Sequence, residues 1–278
     1  MLDRRERLRR DPLLMSDALA AKTVSPIVRP KQRENIIMRK SVAAVMAASA
    51  TLAGCHARSD EGGGATVSRN YQVGNFQQIE VAGPYEVDVR TGSGPAVSAQ
   101  GGERLLDRTS VAVQGDKLVI KPERSGGLFN FGLSTHGKAT FTVTVPQLKG
   151  AEIAGSGDIN IDKVAGQDFT GTVAGSGDLG VGAMDVQSLK LSIGGAGDIR
   201  AGAGKAQTGE YRIAGSGDLD ASGIQTQQMK ASITGSGDIK ARSSGPADIS
   251  IMGSGDVTVT GGAKCNVSKM GSGSATCS

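Results

Sequence analysis

The tetrapeptide Gly155-Ser156-Gly157-Asp158 decides the fold, because the chain repeats it at nearly constant intervals. Further copies begin at residues 175, 195, 215, 235 and 253, with Ala in place of Ser in the copy at 195, and a variant that ends in Ser begins at 271. The interval is 20 residues four times and 18 residues twice. A unit this short cannot bury a core of its own, so the units must stack on one another as a solenoid.

Apolar residues flank every full copy of the turn at three fixed positions. They lie two positions before the first Gly, directly after the Asp, and two residues further on. These three columns are Ile153, Val173, Ile193, Ile213, Ile233 and Ile251; Ile159, Leu179, Ile199, Leu219, Ile239 and Val257; and Ile161, Val181, Ala201, Ala221, Ala241 and Val259. The residues between the last two columns are small or polar, which is the period-2 alternation of a strand with one buried face.

The strands and the glycine-rich turns together predict an all-β fold. Glycine suits a corner where the chain turns sharply and stacks on a copy of itself at about 4.8 Å, because such a corner needs positive φ and no Cβ. A helical solenoid would need apolar stripes with a 3.6-residue period and strong helix formers, which the repeats lack. We therefore expect a single-stranded, right-handed parallel β-helix with coils of about 20 residues.

A lipoprotein signal peptide is predicted for residues 38–54. A short basic region at Met38-Arg39-Lys40 precedes an apolar run that is too short to span a membrane. The run ends in Leu52-Ala53-Gly54-Cys55, which resembles the lipobox of bacterial lipoproteins. By that resemblance Cys55 becomes the lipidated N-terminus, and His56, in place of Asp, favours the outer membrane of a Gram-negative bacterium. The alternative is a plain secretory peptide that happens to contain Cys.

Residues 1–37 are charged, lack a core pattern and precede a normal signal start at Met38. They are either a dispensable leader or the product of a start codon assigned too early. Eleven of the 31 Lys and Arg residues and five of the 27 Asp and Glu residues precede Cys55. The mature chain therefore has 20 basic and 22 acidic residues, and its net charge is near −2. The net charge of +4 for the full chain is therefore no argument for nucleic acid as a partner.

Two cysteines follow Cys55, and both lie in the last two coils. Cys277 continues the column of Ile161 and Val259, so its side chain should point inward. The end of a solenoid exposes an apolar cross-section and an unpaired strand edge. A disulfide between Cys265 and Cys277 is predicted to close this end in an exported protein, adding about 2–3 kcal/mol. A metal pair is disfavoured because no His or further Cys lies nearby.

The mature chain divides into a tether, an irregular region and the repeats. Residues 55–75 begin with a Gly- and charge-rich stretch and are predicted to tether the folded body to the lipid. Residues 76–150 are rich in predicted strands without a regular repeat, so we expect them to form wider first coils that cap the repeats of 151–278. A Gly-rich loop in the irregular region carries Phe129 and Phe131, which either contact a partner or membrane surface or fold back over the solenoid.

The irregular region also carries a recognisable pattern. It reads Ile79-x-Val81-x-Gly83-Pro84-Tyr85-x-Val87-x-Val89, followed by Leu105-Leu106-Asp107 and Gly115-x-x-Leu118-x-Ile120. Together with the serial Gly-Ser-Gly-Asp turns, the pattern resembles the head GIN domain family of auto-transporter adhesins over residues 76–278. The resemblance implies a single-stranded right-handed β-helix, in agreement with the columns, and an adhesin-like role in the cell envelope.

The aspartates of the turns should stack about 4.8 Å apart along one edge of the solenoid. They are Asp158, Asp178, Asp198, Asp218, Asp238 and Asp256. Carboxylates this close repel one another by about 1 kcal/mol in water. Either Ca²⁺ binds between coils, as in nonapeptide calcium repeats, or each carboxylate accepts hydrogen bonds from the amides of its own corner. The single turn per 20 residues favours the structural role over a calcium-stabilised solenoid.

The sequence shows no set of residues suited to catalysis. His136 is the one His beyond His56, and neither Trp nor a Gly-x-Ser-x-Gly elbow is present. A glycan-active β-helix would need paired acids and aromatic platforms, yet Glu152, Asp162 and Asp168 are typical of a solvated surface. We therefore expect a non-catalytic, lipid-anchored envelope protein without a cofactor and with a structural or adhesin-like role. Its expected partners are the membrane, through the lipid, and an envelope polymer or protein surface; a glycan-binding or glycan-active module is the alternative.

Overall fold

The computed structural model describes residues 65–123 and 138–278. In these residues a single sheet winds into a β-solenoid, accompanied by one short helix, α1 (Glu103–Asp107). The all-β solenoid that the repeat predicts is thus confirmed. The strands are β1 (Thr66–Tyr71), β2 (Gln78–Ala82), β3 (Glu86–Thr91), β4 (Ala96–Gly102), β5 (Thr109–Gln114), β6 (Lys117–Pro122), β7 (Ala139–Val145), β8 (Gly150–Gly155), β9 (Asp158–Gly175), β10 (Leu179–Gly195), β11 (Ile199–Gly215), β12 (Leu219–Gly235), β13 (Ile239–Ser243), β14 (Pro246–Gly253), β15 (Val257–Thr260), β16 (Lys264–Gly271) and β17 (Ala275–Cys277).

Each 20-residue repeat forms one coil of the solenoid. The long strands β9 to β12 each run through most of a coil, and neighbouring coils pair in parallel with an offset of 20 residues, so that Ile159 faces Leu179 and Leu179 faces Ile199. The three columns predicted from the sequence line the interior, and every member is at most 4% exposed. The repeat period therefore sets both the register between strands and the composition of the core.

The far side of the solenoid adds two further buried columns in which large and small residues compensate for one another. These columns are Phe169, Leu189, Gly209, Met229 and Ala247; and Gly171, Leu191, Tyr211, Ala231 and Ile249. A Cβ atom at Gly171 would lie 2.7 Å from Leu179 Cδ2, and one at Gly209 would lie 2.7 Å from the Tyr211 hydroxyl. Each coil therefore keeps a similar interior volume although no single position keeps its residue.

The shortening of the repeat from 20 to 18 residues is absorbed away from the Gly-Ser-Gly-Asp corner. The pairing of β12 with β13 shifts between Ala221 and Gln225, so the corner that contains Ile224 has no counterpart in the next coil. Beyond the shift, buried Thr226 donates from Oγ1 to the carbonyl oxygen of Arg242 at 2.9 Å. This bond satisfies a polar group that the narrower coil buries.

The N-terminal end does not follow chain order in space. Strand β2 lies between β6 and β8, and β3 lies between β7 and β9, all in parallel. Outside them, β4 pairs with β7 and β5 pairs with β6 in antiparallel fashion, and β1 covers β4. Residues 76–150 thus lie at the N-terminal end of the parallel stack, together with antiparallel strands. The expectation of wider first coils that cap the repeats did not include these antiparallel strands.

The prediction of a tether over residues 55–75 is wrong for its C-terminal part, which is folded. Residues 66–71 form β1, and Tyr71 packs against the ring of Phe141 at a centroid distance of 6.2 Å. Exposure alternates along β1, with Val67, Arg69 and Tyr71 on the half-buried side, which fits an edge strand with one side toward the core. The predicted tether extends too far because the Gly-rich stretch before β1 resembles a linker.

Polar contacts fix the cap to the first coils. Lys117 Nζ donates to Glu152 at 2.9 Å and to Glu80 at 3.0 Å, which links β6, β8 and β2, and these hydrogen bonds raise the pKa of Lys117. In the interior, the hydroxyls of Tyr85 and Thr109 lie 3.0 Å apart, and Thr109 donates to the carbonyl oxygen of Leu105 in α1. These buried polar groups are therefore satisfied.

Candidate functional site

The Gly-Ser-Gly-Asp corners form one straight edge of the solenoid. The first glycine of each corner has a φ between +123° and +152°. A Cβ atom at Gly215 would lie 2.0 Å from the carbonyl oxygen of Gly195 in the preceding coil. Only glycine satisfies both demands, so stacking accounts for the first glycine of every corner.

The corner aspartates form a ladder of hydrogen bonds between coils. The Oδ1 atom of each carboxylate accepts the main-chain N–H of the corresponding residue in the next coil, at 2.7 to 3.0 Å. The ladder runs without a break from Asp158 through Asp178, Asp198, Asp218, Asp238 and Asp256 to the N–H of Ser274. The carboxylates were expected to bond the amides of their own corner, whereas in the structure they hold the next coil.

This arrangement accounts for the stacked charges without a metal. Each carboxylate gains a charge-assisted hydrogen bond, and Arg200 adds an ion pair to Asp198 at 2.9 Å. At the C-terminal end, hydrogen bonds from the hydroxyl and N–H of Ser274 hold the pKa of Asp256 below its usual range. Among residues 65–123 and 138–278, no group of three or more His, Cys, Asp or Glu side chains could hold a metal ion.

A different face of the solenoid carries two adjoining grooves that run along its axis. The first groove lies between two rows of outward side chains, and its floor is the main chain at Phe169, Leu189, Gly209 and Met229. One row is Asp168, Ser188, Thr208, Gln228 and the exposed Pro246, and the other is Thr170, Lys190, Glu210, Lys230 and Asp248.

The second groove shares three residues of the first, namely Glu210, Lys230 and Asp248. Its opposite wall is formed by Arg212, Ser232, Ser250 and Ser268, with Asn266 at the end. We call the two grooves together the grooved face. Glu210 and Arg212 form an ion pair across the second groove. These residues occupy outward, mostly polar positions of the period-2 pattern, but the sequence alone does not show that they border grooves.

The C-terminal end is closed by the two cysteines. The structure joins Cys265 and Cys277 through a disulfide, with their Cα atoms 6.6 Å apart. Cys277 pairs with Val259 and so lies in the predicted column, but its side chain is exposed. Lys269 takes the place of Ile251 in its column, is exposed, and donates to the carbonyl oxygen of Gly273 at 3.2 Å. The apolar column of Ile153 therefore ends at Ile251.

Several sequence predictions lie outside the described residues. They concern the lipidation site Cys55, the aromatic pair Phe129 and Phe131, and both histidines, His56 and His136. Within the described part of the chain, no helix has the length and hydropathy needed to cross a membrane.

The corner and the cap carry the family pattern, and a family model matches residues 75–263. The model is described as "Putative auto-transporter adhesin, head GIN domain". The chain belongs to the head GIN domain family. The match ends before β16, so the disulfide-closed last coil lies beyond it. Membership in this family supports an adhesin-like role at the cell envelope or surface.

Solved structures share the fold across almost their whole length. A "putative adhesin" of Bacteroides fragilis is 22% identical, with a TM-score of 0.69, and the match covers 77% of this chain and 97% of that one. A "putative lipid binding protein" of Parabacteroides distasonis is 24% identical, with a TM-score of 0.62 and coverage of 78% and 98%. A "putative adhesin" of Parabacteroides merdae is 18% identical, with a TM-score of 0.61 and the same coverage. No curated protein matches the chain.

Proposed function

We propose that this head GIN protein is a non-catalytic, lipid-anchored adhesin of the cell envelope that binds its partner through the grooved face. The observation that carries the proposal is the grooved face itself, an extended polar surface on a scaffold whose coils are locked together. In each full repeat coil, main-chain pairing holds both edges of the strand, and the corner ladder adds a further bond. Such a scaffold presents side chains at fixed intervals to an extended partner.

The charges in the grooves favour binding over catalysis. Glu210 and Asp248 lie in one row, with Lys230 between them, and Glu210 also pairs with Arg212. A general acid in glycoside hydrolysis must keep its proton near neutral pH, which an apolar setting favours. The two carboxylates of this row lie beside Lys230 and Arg212 rather than in an apolar setting.

The proposed anchor would hold the solenoid close to the membrane. Ten residues separate Cys55 from the start of β1 at Thr66. A fully extended chain of that length reaches at most about 35 Å. The capped end, which contains β1, would be the end of the solenoid that is joined to the anchor. The family's adhesin description supports this placement at the envelope.

The anchor can be tested by fractionation of cells that produce the wild type or the Cys55→Ser variant. We expect the wild type in the membrane fraction and the variant in the soluble exported fraction. Recovery of both proteins in the same fraction would contradict lipid anchoring at Cys55.

Adhesion can be tested separately with protein purified from producing cells. The protein is mixed with peptidoglycan sacculi of those cells and with mucin-coated beads, and the bound fraction is measured by sedimentation. We expect retention on at least one of the two surfaces and its reduction in the double variant Gln228→Ala, Lys230→Ala. Retention on neither surface, or retention that the double variant does not change, would contradict the proposal.

A further inference from the structure

The strands on the floor of the first groove are paired along both edges in the middle of the repeats. Residues 188–191 pair with 168–171 on one side and with 208–211 on the other. An extended peptide therefore cannot add to the sheet at these strands as an extra strand. A partner that lies across them must be recognised mainly by side chains.

The side chains of the grooved face are rich in hydroxyl and amide groups and balanced in charge. Ser, Thr, Gln and Asn residues form much of both walls. The charged residues are three acids and three bases, namely Asp168, Glu210 and Asp248 with Lys190, Arg212 and Lys230. A strongly anionic or cationic polymer would meet as many repulsive as attractive charges.

The grooves also lack the apolar anchors on which protein partners depend. Among the described residues, the large apolar side chains that are exposed are Met252, Val267 and Met270, and none of them lines a groove. Phe169 and Tyr211 contribute main chain to the floor, but their rings are buried. Binding hot spots of protein interfaces are centred on large side chains in desolvated pockets, which this face does not offer.

We propose that the grooved face binds a neutral glycan chain that lies along the solenoid axis. The inference rests on the proposed adhesin function and adds the chemical class of its ligand. The first groove extends from the coil of Asp168 to that of Asp248. Four steps of about 4.8 Å give a length of about 19 Å, which suits an oligosaccharide segment rather than a single sugar. The hydroxyls of such a chain donate to carboxylates and accept from Lys, Gln and Ser side chains.

No exposed aromatic ring lines the grooves in the described residues, and this predicts how tightly a glycan should bind. Sugar rings gain much of their affinity from aromatic platforms, so contact here would depend on hydrogen bonds that water also offers. A short oligosaccharide should therefore bind weakly, and a longer one should bind more tightly as it spans more coils.

The test uses the protein purified from producing cells and isothermal titration with four hexasaccharide probes. Two probes are neutral, cellohexaose and chitohexaose; one is anionic, hexagalacturonate; and one is cationic, the fully deacetylated glucosamine hexamer. We expect binding of at least one neutral probe that is tighter than binding of either charged probe. The trisaccharide of the same neutral series should bind more weakly.

Two double variants locate the binding. Gln228→Ala with Lys230→Ala removes two groups that line the grooves and should weaken neutral-probe binding by about tenfold. Gln207→Ala with Gln227→Ala changes exposed residues that lie just outside the groove lining and should leave it unchanged. Equal effects of the two double variants would overturn the assignment of the ligand to this face.

The ligand class and the adhesin function can fail separately. If neither neutral probe binds, or if a charged probe binds more tightly, the neutral-glycan inference is overturned. Retention on sacculi or mucin that still depends on Gln228 and Lys230 would then leave the adhesin function standing. If the protein also fails to bind both surfaces, the two proposals fall together.

Discussion

The repeats and the N-terminal cap of this protein contribute to one hydrophobic core, but they are built differently. From β9 to β17, each coil copies the one before it, and its corner is held by the same carboxylate-to-amide bond. In the cap, strands pair out of chain order and in both directions, and the core depends on individual side chains such as Tyr85 and Phe141. In the repeats, the close approach of neighbouring coils limits which residues are allowed at the corners. In the cap, the fit of individual core side chains limits which residues are allowed.

The largest effect is expected for a corner glycine. Gly215→Ala would place a Cβ 2.0 Å from a main-chain oxygen, at a φ of +149°. We expect a loss of about 4 kcal/mol or more in the free energy of unfolding, or no folded protein. Gly92→Ala in the cap is the matched control, because its φ is +114° but no atom lies within 4 Å of the added Cβ. It should lose about 1 kcal/mol in urea unfolding. Similar losses for both would show that strain in φ, rather than stacking, restricts the corner.

The next effect concerns the end opposite the cap. Replacing Cys265 and Cys277 together by Ser should reduce the free energy of unfolding by about 2–3 kcal/mol, because the disulfide closes a short loop. The loss should appear first as faster hydrogen exchange in β16 and β17, while the strands of the cap keep their protection. Uniform loss of protection along the whole solenoid would contradict a local role for the disulfide.

The corner ladder should depend on its acceptor oxygen rather than on its charge. Asp218→Ala removes the acceptor of the Asp238 N–H and should lose about 1–2 kcal/mol in urea unfolding. Asp218→Asn keeps an acceptor oxygen in the same place and should lose less. Equal losses for Asn and Ala would indicate that the charge itself is required, as it would be for a bound cation.

Each region contains a buried tyrosine, and removal of its hydroxyl should change the stability of the protein differently in the repeats and in the cap. Tyr211 is buried in the repeats, its hydroxyl has no hydrogen-bond partner among the described residues, and burial raises its pKa. The hydroxyl of Tyr85 in the cap is paired with that of Thr109. We expect Tyr211→Phe to leave stability unchanged or raise it by up to about 1 kcal/mol, and Tyr85→Phe to lower it by about 1 kcal/mol. Destabilisation by both, measured by thermal unfolding, would show that the Tyr211 hydroxyl does have a partner.

The smallest effect is a dependence on pH at the last corner. The pKa of Asp256 is lower in the folded protein than its usual value of 3.8, because Ser274 bonds the ionised form. Its contribution to stability is therefore complete above about pH 4 and is lost as the pH falls through the lowered pKa. The difference in urea midpoint between the wild type and Asp256→Ala should thus shrink from pH 7 to pH 2.5. A difference that stays constant over this range would contradict the assignment.

The repeats could be predicted from the sequence because every corner has a positive φ at its first glycine and the same close contact with the preceding coil. The columns that begin with Ile153, Ile159 and Ile161 followed from spacing alone. The columns of Phe169 and Gly171 did not, because residue size alternates between coils and only their combined volume is kept. The cap was predicted only as irregular, since the position of β2 between β6 and β8 depends on long-range pairing. The polar outward columns follow from the period-2 pattern, but the position of the grooves among them does not, because outward residues vary in type from coil to coil.

We assign binding to the grooved face and a structural role to the corners. To test this, retention on sacculi and mucin is compared for the double variant Gln228→Ala, Lys230→Ala and for Asp218→Asn, both checked for an intact fold by circular dichroism. We expect retention to fall in the groove variant and to persist in the corner variant. Retention that persists in the groove variant and falls in the corner variant would contradict it and would move the binding site to the aspartate ladder.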